Sequence, residues 1–206
     1  MSDKVSAFYD AYSAQQVAKG INARHLRIME WLEKFGLRPD AQVLEIGCGV
    51  GTQTELIAKA LRNGHLLAND ISPRSVDLAR ERLKRTSNVT FLTGDIIGAK
   101  VEGTFDLIVL PDVLEHIPRE QHGELFLKLS KLLAPKGNIV IHIPAPEYLE
   151  HLHRERPELL QVIDQALPIA ELAPKFTAAG LYLHYLEQYP LWTDEDDACV
   201  LCLRHS

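Results

Sequence analysis

The chain has 206 residues, 46% of them apolar and 24% charged, with a formal net charge of −6. That length allows one substantial α/β core with a small appendage. The acidic balance argues against a general nucleic-acid binder, which carries a basic footprint, and no apolar stretch reaches the length of a membrane span. Three cysteines, at 48, 199 and 202, cannot all pair within one chain. With no signal-like amino terminus, they point to a reduced, cytoplasmic protein. Cys199 and Cys202 sit in an apolar run and read as small buried hydrophobes, not as a redox or metal pair.

Residues 1–40 form an amino-terminal helical segment and a possible lid, ahead of a main domain at 41–206. Phe8, Tyr9 and Tyr12 crowd three aromatics into five residues. They are too few for a core helix but suit a flap over 5–20, with Tyr9 and Tyr12 as substrate contacts. Over 24–35, Leu26, Met29, Trp31, Leu32 and Phe35 make a helical apolar stripe, ended by Gly36 and Pro39. Gln15, Gln16, Asn22, Arg24 and His25 add polar groups able to reach a substrate.

The main domain alternates strands and helices. Val43–Ile46 reads as a strand running into Gly47-Cys48-Gly49-Val50-Gly51, with a helix over 52–62 behind it. Glycines at such a strand-to-helix turn bring bare backbone N–H groups close to a ligand. A dinucleotide fingerprint wants a glycine at position 52, where this chain has threonine, and Glu45 suits a cationic ligand group better than a pyrophosphate. Strands follow at 65–69, 89–92 and 105–110, with helices over 74–85 and 120–133, and a fifth strand at 138–143. Such spacing implies parallel pairing with right-handed crossovers. Residues 144–170 break the rhythm as a charge-rich helical insertion from Glu147 to Gln165, beside the ligand crevice. Its Tyr148 is a candidate substrate contact. A helix near 168–179 leads to strands at 181–189 and 198–203, too close for a crossover and therefore an antiparallel hairpin.

The informative acids follow strands at one sheet edge. Asp70, about twenty residues past the glycine turn, can accept both hydroxyls of a ribose. Asp95 can accept from an adenine amino group with Ile96 beside the ring. Asp106 lies at the opposite edge as a solvated or turn acid, and Asp112 and Glu115 order the loop after the fourth strand.

On VLEIGCGVGT (43–52), LLANDIS (66–72), TGDI (93–96), FDLIVLPDVLEHI (105–117) and LLAPKGNIVI (132–141), the chain resembles the class I S-adenosylmethionine-dependent methyltransferases along essentially its whole length. The resemblance implies a Rossmann-like, seven-stranded α/β sheet of order 3-2-1-4-5-7-6, strand seven antiparallel, with helices on both faces. It implies S-adenosyl-L-methionine as cofactor. Glu45, Gly47, Cys48, Gly49 and Gly51 would hold its methionine part, Asp70 and Ile71 the ribose, and Asp95 and Ile96 the adenine, with Pro111 nearby as a departure from the family pattern.

Methyl transfer from a sulfonium is an in-line displacement in which positioning can suffice. A hydroxyl acceptor gains from a base, for which His116 and then His142 are the candidates, both also as substrate contacts. His116, His142, His151 and His153 are too scattered to define a metal site. The leading reading is methylation of an oxygen or nitrogen on a small or medium-sized metabolite by a monomer or homodimer. A protein methyltransferase and a non-catalytic cofactor-binding module stay open as alternatives. No Asn-Pro-Pro-Tyr motif follows the fourth strand, which lowers base and glutamine methylation.

Overall fold

A computed structural model describes residues 20–206. The flap expected over 5–20, with Tyr9, Tyr12, Gln15 and Gln16, lies outside the described residues. In chain order the elements are α1 (Ala23–Lys34), β1 (Gln42–Ile46), α2 (Thr52–Ala60), β2 (His65–Asp70), α3 (Pro73–Arg82), β3 (Val89–Thr93) and β4 (Phe105–Pro111). Then come α4 (His122–Leu132), β5 (Leu133–Pro144), α5 (Pro146–Glu155), α6 (Ile169–Ala178), β6 (Leu181–Tyr189) and β7 (Ala198–His205). The sheet order is β3-β2-β1-β4-β5-β7-β6. Pairs β1–β2, β1–β4, β2–β3 and β4–β5 are parallel, while β7 runs antiparallel to both β5 and β6.

Alternation along the central strands sends side chains to two separate cores. Leu44, Ile46, Ile108, Leu110, Ile139 and Ile141 pack on one face with Phe126 and Leu129 of α4 and Leu172 and Phe176 of α6. Val43, Leu107, Val109 and Val140 pack on the other with Ile28 and Leu32 of α1 and Ile57 of α2. Each fully buried Leu or Ile contributes about 1.5–3 kcal/mol, so the central strands dominate the fold's stability. Local signals set the helix starts. Asn22 caps α1 in a reciprocal box with His25, and the Ser72 hydroxyl accepts from Ser75 N at 3.0 Å, with Pro73 as first helical residue.

Two boundaries differ from expectation. β5 starts at Leu133, not 138, because the chain pairs once with β4 at Phe105↔Leu133, bulges over 134–137, and pairs again at Leu107↔Asn138. Gly137 permits that bulge: a Cβ there would stand 2.9 Å from Phe105 O. The helix expected from Glu147 to Gln165 stops at Glu155. Pro157 has no N–H to continue it, and only a 3₁₀ turn, Pro157–Leu159, follows. Residues 160–168 are irregular, and Gln165 N donates to Glu115 O beyond the end of β4 at 3.1 Å.

Candidate active site

The exits of β1, β2, β3 and β4 are fastened to one another. Gly47 N and Cys48 N both donate to Asn69 O, at 2.8 and 2.9 Å. Gly49 N donates to Asp70 Oδ2 at 2.7 Å, and Ser72 N to Asp70 Oδ1 at 2.8 Å. The Asn69 amide donates onward to Leu92 O and Gly94 O, at 3.1 and 2.9 Å. Asp95 Oδ1 accepts from Ile97 N at 3.0 Å. Gly47 has a positive φ of 77°, and a Cβ on it would fall 2.2 Å from Val113 Cγ2. That position needs glycine twice over, for its backbone angle and for the approach of the β4 exit.

Above these exits lies a cavity of about 380 Å³. Gly47, Cys48, Gly49, Asp70, Ile71, Asp95, Ile96, Pro111, His116 and Tyr148 all line it, as do Arg24 and His25. Glu45 and Gly51 are set behind the wall. Glu45 shares its sheet face with Val43 and points beneath α2, where it is fully buried and neither carboxyl oxygen meets a hydrogen-bond partner. Burial pushes its pKa up to about 7. Gly51 begins α2, and a Cβ on it would lie 2.9 Å from Leu83 Cδ1 and 3.0 Å from Ala79 Cβ, both at α3 and its end.

His142 corrects the expectation of a second catalytic or substrate-binding imidazole. It is 3% exposed and off the cavity wall, because the β4 exit covers it. Its Nδ1 bonds Asp112 Oδ1, and its Nε2 lies 2.7 Å from the Tyr189 hydroxyl. A carboxylate only accepts, so Nδ1 donates to Asp112, and with Nε2 against the phenol both nitrogens are used. Asp112, expected only to order a loop, is the residue this support delivers to the cavity. It stands in the left-handed region at φ 56° and takes Arg24 Nη1 on its other oxygen. Burial alone raises the Asp112 pKa, but His142 and Arg24 outweigh it and hold the carboxyl well below the usual range. His25, next to Arg24, has its pKa lowered to about 4 by burial and by that guanidinium, so it is neutral near pH 7.

His116 lines the far end of the cavity. Its Nδ1 bonds Ile163 O and lies 3.3 Å from Asp164 Oδ1. A carbonyl only accepts, so Nδ1 carries a hydrogen. Glu115 Oε1 is 3.7 Å from the ring's Nε2, and Glu115 Oε2 is buried without a partner. Burial, then the charge of Asp112, raises the Glu115 pKa well above the ordinary value. Pro144, Tyr148, Leu149, Leu152, Leu159 and Leu160 form an apolar wall on this side. The 144–170 segment therefore borders the same cavity as the glycine turn. Asp164 and Gln53 went unremarked in the sequence, since an acid in a charge-rich stretch and a glutamine in a first helical turn carry no pattern of their own.

The cavity joins a glycine turn, a β2-exit acid and a β3-exit acid on a sheet of the order that the resemblance implies. A family model described as a methyltransferase domain matches residues 43–137. Residues 43–137 carry a methyltransferase domain, and the sheet order is that of the class I S-adenosylmethionine-dependent methyltransferases. It is 26% identical over 181 residues to a trans-aconitate 2-methyltransferase of Methylobacterium nodulans, covering 88% of this chain and 66% of that protein. A second such protein, from Deinococcus radiodurans, is 31% identical over 136 residues, 66% of this chain and 48% of its own length. This chain thus spans less than two thirds of the curated relatives it matches. Among solved structures, the N-methyltransferase NodS of Bradyrhizobium japonicum, in complex with S-adenosyl-L-homocysteine, superposes with a TM-score of 0.69 at 24% identity, covering 88% of this chain and 85% of that one. S-adenosyl-L-methionine is the cofactor of the family.

Proposed function

We propose that this chain transfers a methyl group from S-adenosyl-L-methionine to an oxygen or nitrogen of a small or medium-sized metabolite. The observation that carries the proposal is one continuous cavity, with the glycine turn, Asp70 and Asp95 at one end and His116, Asp164 and an apolar wall at the other. The residues fit the donor. Gln53 is buried on the cavity wall with both amide atoms lacking a partner, as a site awaiting a carboxylate or an ammonium group would have. Arg24 stands on the same wall as the fixed cation for a carboxylate.

When bound, the cofactor supplies a methyl group already activated on a positively charged sulfur. Asp70 would accept from the ribose hydroxyls, its carboxylate held in place by Gly49 N and Ser72 N. Asp95 would accept from the adenine amino group, with Ile96 beside the ring. Glu45 takes part through the loop above it, since it does not reach the wall. At the acceptor end the apolar wall excludes water, which strengthens the electrostatics of the site. His116 offers the Nε2 lone pair to an acceptor proton, with its ring held by Ile163 O and Asp164. Tyr148 borders the acceptor. The three cysteines are free and buried, which fits a reducing cytoplasm.

The test incubates the protein with methyl-labelled cofactor and a metabolite extract. Label in small products is the expected result. Label confined to polypeptide, or tight cofactor binding with no transfer, replaces the proposal with a protein methyltransferase or a non-catalytic module.

A further inference from the structure

We infer that the acceptor is an amphipathic amine, its nitrogen received by Asp164, Glu115 and His116 and its apolar body by the leucines of the 144–170 segment. The inference rests on the methyltransferase reading and names the substrate class of that same site. The charge of the cavity wall points this way. Among the described residues lining it, five carry carboxyl groups (Asp70, Asp95, Asp112, Glu115 and Asp164), while Arg24 is the one fixed cation. Arg24 is bonded to Asp112, and Asp70 and Asp95 stand at the nucleoside end. Among the described residues, no lysine or arginine pairs with Asp164 or Glu115. Asp164 is confined, its side chain 9% exposed, with one oxygen taking Gln161 N at 2.7 Å and the other 3.3 Å from His116 Nδ1. Two further acceptor atoms on this wall are buried and unpartnered: Glu115 Oε2, on a residue 1% exposed, and Gln161 Oε1.

Buried acceptors without donors are costly unless a ligand satisfies them. A ligand carrying N–H bonds and positive charge does so. A carboxylate acceptor would bring a second anion against Asp164 and leave both orphan atoms unpaired. The rest of the subsite selects the body of the ligand. Leu149, Leu152, Leu159 and Leu160 line the cavity, with Trp192 at its rim, and Leu159 and Trp192 are among the large hydrophobic side chains most exposed to solvent. An alkyl or aryl body lying there covers apolar surface that is otherwise wet. An ammonium nitrogen has no lone pair to offer until one N–H bond breaks. His116 Nε2 takes that proton, forming its own N–H bond and leaving the electron pair on the acceptor nitrogen.

The experiment titrates n-octylamine, n-octanoate and n-octanol into the full chain saturated with S-adenosyl-L-homocysteine, following heat. Octylamine is expected to bind at least about tenfold tighter than octanoate, the scale of a buried charge pair against a like-charge contact. In Asp164→Asn that preference falls by about tenfold, while titration of S-adenosyl-L-homocysteine on the same sample reports that the variant is folded. Octanoate binding as tightly as octylamine, no discrimination among the three probes, or no binding of any overturns the inference. A chain that fails to bind S-adenosyl-L-homocysteine overturns the cofactor reading instead, and the amine-to-carboxylate ratio is still read on it.

Discussion

Glu45 and Asp112 are acids on neighbouring strands, or just past them, that their surroundings drive to opposite states. Asp112 stays ionised because Arg24 and His142 meet it from two sides. Glu45 meets no cation, and its pKa climbs to about 7 through burial. Between the ordinary carboxyl value near 4.5 and that raised value, the folded chain holds a proton that the unfolded chain releases. Stability contributed at this site therefore falls as pH rises through that window and stays low above it. A rise of this size corresponds to a ceiling of about 3 kcal/mol. Glu45→Gln removes the titration while keeping the shape. The variant should gain about 1–3 kcal/mol on the wild type between pH 5 and pH 7, and no more beyond pH 8. Urea unfolding at pH 5, 6, 7 and 8 measures this. A stability difference independent of pH would mean that Glu45 ionises normally inside the fold.

At the level of elements, what could be read in the chain divides along physical lines. The β1, β2 and β4 runs and the glycine turn were legible because parallel strands covered on both faces are near-continuous apolar runs. The terminal hairpin was legible from spacing. The fate of 144–170 was not, since its helical periodicity continued past Pro157 while the missing N–H ended the helix at Glu155. His142 misled for a related reason. Its position at the end of β5 placed it at the right sheet edge, yet only the fold of the β4 exit decides that Asp112 covers it. The same exit couples to the glycine turn through Val113, whose side chain occupies the space a Cβ at 47 would need. Gly47→Ala should cost about 2–4 kcal/mol, from overpacking plus the left-handed backbone. Val113→Ala relieves the first part only. In the double variant about half of the loss should return, a coupling of at least about 1 kcal/mol in a thermal or urea unfolding cycle. Strictly additive losses would show that the two exits do not press on each other.

Across the whole molecule, the cavity draws its wall from both halves of the sheet and from α1. Gly47 to Gly49, Asp70 and Asp95 come from the β1–β3 side, while His116, Tyr148 and Asp164 come from β4 onward, and Arg24 from the helix that precedes the sheet. Among the described residues, the Arg24–Asp112 pair is one direct side-chain link between these segments. A ligand spanning the cavity adds contacts between these parts to those the two hydrophobic cores supply from behind. Binding to the folded state alone raises stability by about 2.7 kcal/mol at a hundred times the dissociation constant. For a chain of this length that is a rise of roughly 5–10 °C in melting temperature. S-adenosyl-L-homocysteine should produce such a rise in the wild type. In Asp70→Ala it should produce little at the same concentration, because the ribose acceptor and the anchor for Gly49 N and Ser72 N are lost together. Asp70→Asn keeps one acceptor oxygen and should fall between the two. Amide exchange on the bound wild type supplies the spatial part: protection should increase at residues 47–51 and also at 160–165. An increase confined to the glycine turn would show that the cofactor leaves the far wall untouched, and that the two ends of the cavity are ordered independently.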